Sequence, residues 1–421
     1  MTEENKKKYD IKYKRIFDAL DLKEPDMVPI DIDGGKFMIN YCGYKMKDAV
    51  YDTSLEIYKE CVKKFMEDFD PDMLSKGRAN FFGEGPAHEM SIPKTMFVAG
   101  MKDAPVDDDS LHQHVEFPTL YDEEFDEFLT DRTGWRIKKY FARIFGVFEG
   151  WKNFDLDFDN RANINVSLAI SRPEVKETIK KLWEIGEFYQ EHNKRFAAAV
   201  KELSDLGYPD IELVGGIQSP FDCYSDNYRG TILSLEDLYI NPEVVETYTN
   251  IFHKKQLEKI NNLNKNGQFT DRYVTSMLHK GIDGFMNDEC YERFYWPHLY
   301  EIMEAEIKNG MIPMLFCEGK YNTRLKYLKQ SPPGRKLFRF ETIDMKLAKQ
   351  ELKGVACLGG GFPSTLLQFG TKEQVKEEVK RLLDEAMPGG GYIFRTSAGI
   401  DAAKVENVEV MFQTVREYGK Y

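Results

Sequence analysis

From Tyr273 onward the chain alternates short apolar runs with longer stretches of helical periodicity, and this rhythm constrains the fold more than any other feature. Tyr273–His279, Ile312–Cys317, Lys336–Glu341, Val355–Gly359 and Gly391–Thr396 read as strands. Tyr291–Lys308, Asn322–Lys329, Asp344–Leu352, Thr371–Ala386 and Ala403–Tyr418 read as helices. Short apolar strands separated by helices belong to a parallel sheet buried on both faces. Asp344 and Thr371 stand at expected helix N-caps, and Gly310 and Gly354 at expected C-caps.

Three more strands can be placed upstream, at Val28–Asp33, Asp72–Lys76 and Ile211–Ile217. Eight strands, each with room for a following helix, predict an α/β chain closed as a (β/α)8 TIM barrel, in preference to an open doubly wound sheet. The expectation is one domain over 1–421. Residues about 77–205 are too many for a single crossover and form an insertion between the second and third strands.

Composition decides which partners fit. A hydrophobic share of 42% and a charged share of 31% over 421 residues describe a globular chain with a sizeable core. Mean hydropathy is -0.52, and no apolar run nears the ~18 residues that a membrane span needs. The net charge of -13 disfavours nucleic acid and anionic membrane surfaces as partners. The charged start at Met1 has no apolar stretch behind it, so the cytoplasm is the expected compartment. Nothing in the sequence speaks against a homo-oligomer.

Barrel enzymes work at the C-terminal ends of their strands. Those ends offer Asp33, Lys76, Gln218, His279, Cys317, Glu341, Cys357 and Arg395. Two of the six cysteines, Cys317 and Cys357, fall among them, and Glu289 lies in the loop after the fourth strand. Between Glu289 and Cys317 lie 27 residues, and between Cys317 and Cys357 lie 39. Two thiolates and a carboxylate suit a catalytic zinc with one open position, although a cysteine at a strand end is more often plain core. Asp288, Glu318 and Cys290 are rival ligands by adjacency.

Three segments, Met314–Leu325, Gly354–Leu367 and Gly391–Ile400, together with Val405-Glu-Asn-Val408, resemble the uroporphyrinogen decarboxylase superfamily, which includes corrinoid-dependent methyltransferases. The decarboxylases of that superfamily carry an arginine-rich signature after the first strand. Here that place reads Asp31-Ile-Asp-Gly-Gly-Lys-Phe37, which argues against a many-carboxylate tetrapyrrole as substrate. The coenzyme M methyltransferases use His-x-Cys on the fifth strand, and counted back from Cys317 the histidine place is Leu315. The resemblance to the ether-cleaving methyltransferases of anaerobic O-demethylase systems is closer. It implies Glu289, Cys317 and Cys357 as zinc ligands.

That resemblance implies transfer of a methyl group from a methoxylated, aromatic compound to the cob(I)amide of another protein. This chain has no Asp-x-His-x-x-Gly to hold a corrinoid, so a separate corrinoid protein is the expected partner. His279 is the expected proton donor. Lys76, Phe81, Phe82, Glu341 and Arg395 are the expected substrate contacts, although Phe81 and Phe82 suit packing of the insertion equally. Two further readings are transfer from a methylated corrinoid protein to a thiol or folate-type acceptor, and a non-catalytic corrinoid- or tetrapyrrole-binding scaffold.

Overall fold

The computed structural model describes residues 1–77, 80–154, 163–213 and 217–421. Numbered along the chain, β1 (Met96–Phe97) and β2 (Gln113–His114) form a small antiparallel pair inside the insertion. β3 (Glu212–Leu213), β4 (Tyr273–Leu278), β5 (Ile312–Lys320), β6 (Leu337–Thr342), β7 (Cys357–Gly360) and β8 (Tyr392–Ile393) pair in that order as one parallel sheet.

The two upstream segments complete the circle through single ladder bonds rather than long strands. Phe394 N–H donates to Pro29 O (2.8 Å), and Asp31 N–H to Phe394 O (3.0 Å). Asp72 N–H donates to Ile30 O (2.7 Å), Leu74 N–H to Pro209 O (2.9 Å), and Tyr273 N–H to Ile211 O (2.8 Å). Backbone bonds thus run from β8 through 28–33 and 72–76 to β3 and β4, closing the barrel. Of the expected third strand, 214–216 lie outside the described residues.

Side chains alternate across this sheet, since successive strand residues point to opposite faces. Tyr273, Ile312, Met314, Leu337, Cys357 and Ile393 share one inner cluster with Ile16, Phe17 and Leu20 of the helix Glu3–Leu20. That helix therefore seals the bottom of the barrel. Leu278, Leu315, Cys317, Phe338 and Phe394 face outward into the helix layer, with Leu299, Met303 and Leu328. The helix Lys372–Ala386 shows why the sequence was readable here. Thr371 caps Gln374 N–H, the Gln374 side chain returns to Thr371 N–H, and Val375, Val379, Leu382 and Ala386 form the buried stripe.

The insertion supplies the 32-residue helix Pro173–Ser204 and a covering layer over the barrel. Arg229 ties that layer down. Its guanidinium forms a two-point pair with buried Asp237 (2.6 and 2.9 Å) and donates to Leu120 O (2.9 Å). Among the described residues no helix is long and apolar enough to cross a membrane.

Candidate active site

A cavity of about 980 Å³ opens at the C-terminal ends of the strands, opposite the helix seal. Gln218, Met277, His279, Glu318 and Glu341 come from the strand ends. Met96, His112, His114, Glu116, Tyr140 and Phe145 come from the insertion and form the roof.

His279 follows the last residue of β4 and is held on both ring nitrogens. Nδ1 is 2.6 Å from Asp226 Oδ2, and Nε2 is 3.2 Å from Glu318 Oε2. A carboxylate on each side favours the doubly protonated ring. The pKa of His279 is raised to about 9, and the hydrogen bond with Asp226 is the largest cause. Lys280 Nζ reaches Asp226 Oδ1 (3.3 Å) and donates to Thr231 Oγ1 (2.9 Å).

Behind this pair, Asp222 is fully buried. Its carboxyl accepts Lys280 N–H (2.8 Å) and the Tyr295 hydroxyl (2.6 Å). Burial, and then the charge of Asp226, push its pKa up to about 7. The two acids differ in environment: Asp222 is fully buried, whereas Asp226 is 20% exposed and pairs with His279.

β5 presents Glu318 to the cavity by a break in its pairing with β6. Cys317 pairs with Phe340 and Lys320 with Thr342, so β5 fits one extra residue between those two rungs. Such a bulge re-aims side chains at a barrel rim. The Gly319 N–H then donates to Glu341 Oε2 (2.6 Å). Arg324 pins the adjoining loops through Gly281 O (3.1 Å), Met286 O (2.6 Å) and Asp288 (2.8 Å). The Asn322-Thr-Arg stretch therefore shapes the rim.

The expected metal set is not brought together. Cys317 points outward beside Tyr291 and Tyr321, and burial holds its thiol well above the usual range. Cys357 points inward but begins β7, level with Leu337 and Met314 in the lowest layer. Gly360 is the β7 residue level with Cys317, so Cys357 lies three residues, or roughly 10 Å, lower on the opposite face. Its thiol is also pushed up, to about 12. Glu289 is exposed on the short turn Asp288–Cys290. Among the rivals, Cys290 is buried in the outer core, and Asp288 pairs with Arg324 and Lys326 (2.8 and 2.5 Å). Among the described residues no group of three or more His, Cys, Asp or Glu side chains is placed to hold a metal ion. Asp226 and Glu318 do not converge either, because they sit on opposite nitrogens of one ring.

The inward face of β5 reads Ile312, Met314, Phe316, Glu318.

Of the expected substrate contacts, Glu341 lines the cavity. Lys76 is buried in an ion pair with Asp210 (2.6 Å). Arg395 pairs with Asp31 (2.8 Å), packed over Gly359, whose added Cβ would meet Arg395 Cδ at 3.3 Å. Phe82 is core, against Tyr58 (5.2 Å), and Phe81 backs His112 and His88 from behind (5.4 and 5.1 Å). Both phenylalanines pack the insertion. Asp222, Asp226 and Lys280, and the roof residues His112, Glu116 and Tyr140, carried no motif in the sequence.

The family model described as uroporphyrinogen decarboxylase (URO-D) matches residues 162–418. A uroporphyrinogen decarboxylase of Ruthia magnifica subsp. Calyptogena magnifica is 24% identical over 160 residues, 37% of this chain. The match spans 45% of that relative's length. A solved structure of a methyltransferase from Methanosarcina mazei superposes with a TM-score of 0.59 at 14% identity, over 97% of this chain and 98% of that one. The shared fold covers both proteins nearly end to end, insertion included. The strands β3 to β8, six of the eight barrel segments, and the closing helix Val405–Tyr418 all fall within the matched span, and the chain belongs to the uroporphyrinogen decarboxylase (URO-D) family.

Proposed function

We propose that this chain is a methyltransferase that demethylates a methoxylated aromatic compound at the barrel mouth, with His279 as the proton donor. The observation that carries the reading is the geometry of His279 at the strand ends, 2.6 Å from Asp226 and 3.2 Å from Glu318, in a cavity walled by Tyr140, Phe145 and Met277. The reduced corrinoid of a separate protein is the second substrate and supplies the nucleophile that accepts the methyl group.

An aryl methyl ether needs help at oxygen, because a phenolate is a modest leaving group. The chain's own contribution is a proton. Nε2 of His279 stands 3.2 Å from Glu318 Oε2, an ion-pair contact without an aligned hydrogen bond, and the Glu318 side chain is 47% exposed. An N–H so placed can turn to a substrate oxygen. As the C–O bond breaks, Nε2–H moves to the departing oxygen and gives a neutral phenol. Asp226 keeps the ring oriented through Nδ1–H and stabilises the imidazolium before transfer. The roof of the insertion holds the ring and excludes water. Zinc enters no step, since Glu289, Cys317 and Cys357 do not share a focus.

The relative's activity suggests a second reading, decarboxylation of a carboxylated tetrapyrrole. Four carboxylates among the lining residues count against it. The test is anaerobic incubation with methoxyarenes and cob(I)alamin, beside uroporphyrinogen. Release of the demethylated phenol supports the proposal. Carbon dioxide from uroporphyrinogen, with no phenol released, refutes it.

A further inference from the structure

The charge on the cavity walls narrows the substrate class, given the methyl-transfer reading just proposed. Glu116, Asp226, Glu318 and Glu341 line the cavity against two cations, His279 and Lys280. Both cations are already engaged. His279 is hydrogen-bonded to Asp226 and ion-paired with Glu318, and Lys280 contacts Asp226 and Thr231. Glu116 accepts only neutral donors, the Thr231 N–H (2.6 Å) and hydroxyl (2.8 Å). Glu341 accepts the Gly319 N–H (2.6 Å). Among the described residues neither has a lysine or arginine at ion-pair distance. Of the roof histidines, His112 is driven toward its neutral form, first by burial and then by the charges of His88 and His114.

The guanidinium groups are turned to other partners. Arg395 faces Asp31 (2.8 Å), and Arg339 lies over the Phe316 ring (4.4 Å). Neither is part of the lining. Counting the four carboxylates, His279 and Lys280, the walls carry a net charge of minus two.

We infer that the methyl donor is an uncharged methoxyarene bearing a hydrogen-bond donor, such as a methoxyphenol, and that the site rejects methoxylated aromatic acids. An aromatic carboxylate entering here leaves water for walls of its own sign, and the one cation that can turn to it, His279, is the proton donor that the ether oxygen needs. A hydroxyl or amide N–H instead donates to Glu341 or Glu116, and charged acceptors make the stronger hydrogen bonds. The flat walls of Phe117, Tyr140 and Phe145 suit the ring of either compound, so charge decides between them.

The test is calorimetric titration of the full chain, without corrinoid, with 3-methoxybenzamide, 3-methoxyphenol and 3-methoxybenzoate. The amide and the acid match in shape and differ in charge. At low salt and about pH 8 the amide and the phenol should bind on the order of 10-fold more tightly than the acid. The gap should shrink with salt and narrow severalfold in Glu341→Gln or Glu116→Gln. Equal or tighter binding of the acid overturns the inference. So does a gap unmoved in both variants, or no detectable binding of any of the three. Because binding is read without methyl transfer, the two claims separate. The expected preference with no demethylation leaves the charge selection standing and removes the methyl-transfer reading. Demethylation with a preference for the acid does the reverse.

Discussion

Replacing Asp226 by asparagine removes the largest support for the His279 imidazolium while leaving the imidazole in place. In the native chain the pKa of His279 is raised to about 9, so at about pH 8 roughly nine-tenths of the rings are protonated. Were the pKa to fall to the ordinary value near 6.5, about 3% would remain protonated at that pH. Glu318 still faces Nε2 and retains part of the effect, so the expected loss of activity at about pH 8 is roughly 5- to 30-fold. Lowering the pH to about 6 should restore most of it, because there the variant's ring is largely protonated again. The full shift corresponds to ~3 kcal/mol, and the ring is 33% exposed, so solvent screening brings the stability contribution to ~2 kcal/mol. The sign follows from a raised histidine: the stability is present below about pH 6.5 and is lost as pH rises through about 9. Titration of the His279 ring by NMR, assigned against the His279→Gln spectrum, reads the midpoint directly. A native midpoint at or below the ordinary value, or one unmoved in Asp226→Asn, would refute the reasoning.

Three further outcomes follow from the packing. Cys317→Ser should cost roughly 1–3 kcal/mol in denaturant unfolding, because a hydroxyl replaces a thiol in a fully buried apolar setting; a stable protein that no longer transfers methyl groups would contradict the outward placement. Asp237→Ala should cost roughly 3 kcal/mol, the low end for a broken buried pair, because buried Arg229 retains its ion pair with exposed Asp122 (2.8 Å), and circular-dichroism melts would report it. Asp222→Asn should flatten the pH dependence of stability between about pH 4 and 7, the window over which a carboxyl raised to about 7 in the folded state makes the native protein lose stability as pH rises; urea titrations across that range would show whether the slope disappears.

Much of the barrel was readable because its local signals agree. The Thr371–Gln374 cap, the Asp344 cap on Leu347 N–H, and Gly310 and Gly354 at positive φ all stand where the pattern places them. Segments 28–33 and 72–76 were readable as apolar stretches, but each joins the ring through one or two ladder bonds, a detail that depends on barrel closure and not on propensity. The site was half readable. His279 and Glu341 follow from strand ends. Glu318 was within reach, because Ile312, Met314 and Phe316 set the inward face of β5, while Cys317 drew attention to the residue beside it. Cys357 was misplaced because β7 begins at that residue, two positions after the expected start, and a strand end read as its top proved to be its bottom. Asp226, Glu116 and His112 reach the cavity from the helical stretch Ser225–Arg229 and from the insertion through tertiary packing alone, and no local period encodes that.

The central claim is that a protonated histidine at the strand ends, and not a Glu289–Cys317–Cys357 metal set, drives demethylation. It is tested most directly by measuring phenol release from 3-methoxyphenol with cob(I)alamin in four proteins side by side: native, His279→Gln, Cys317→Ala and Cys357→Ala. A loss of about 100-fold or more is expected in His279→Gln, the size of a missing general acid, with turnover of folded protein retained in both cysteine variants. Abolished turnover in the folded cysteine variants, with His279→Gln near native, would contradict it.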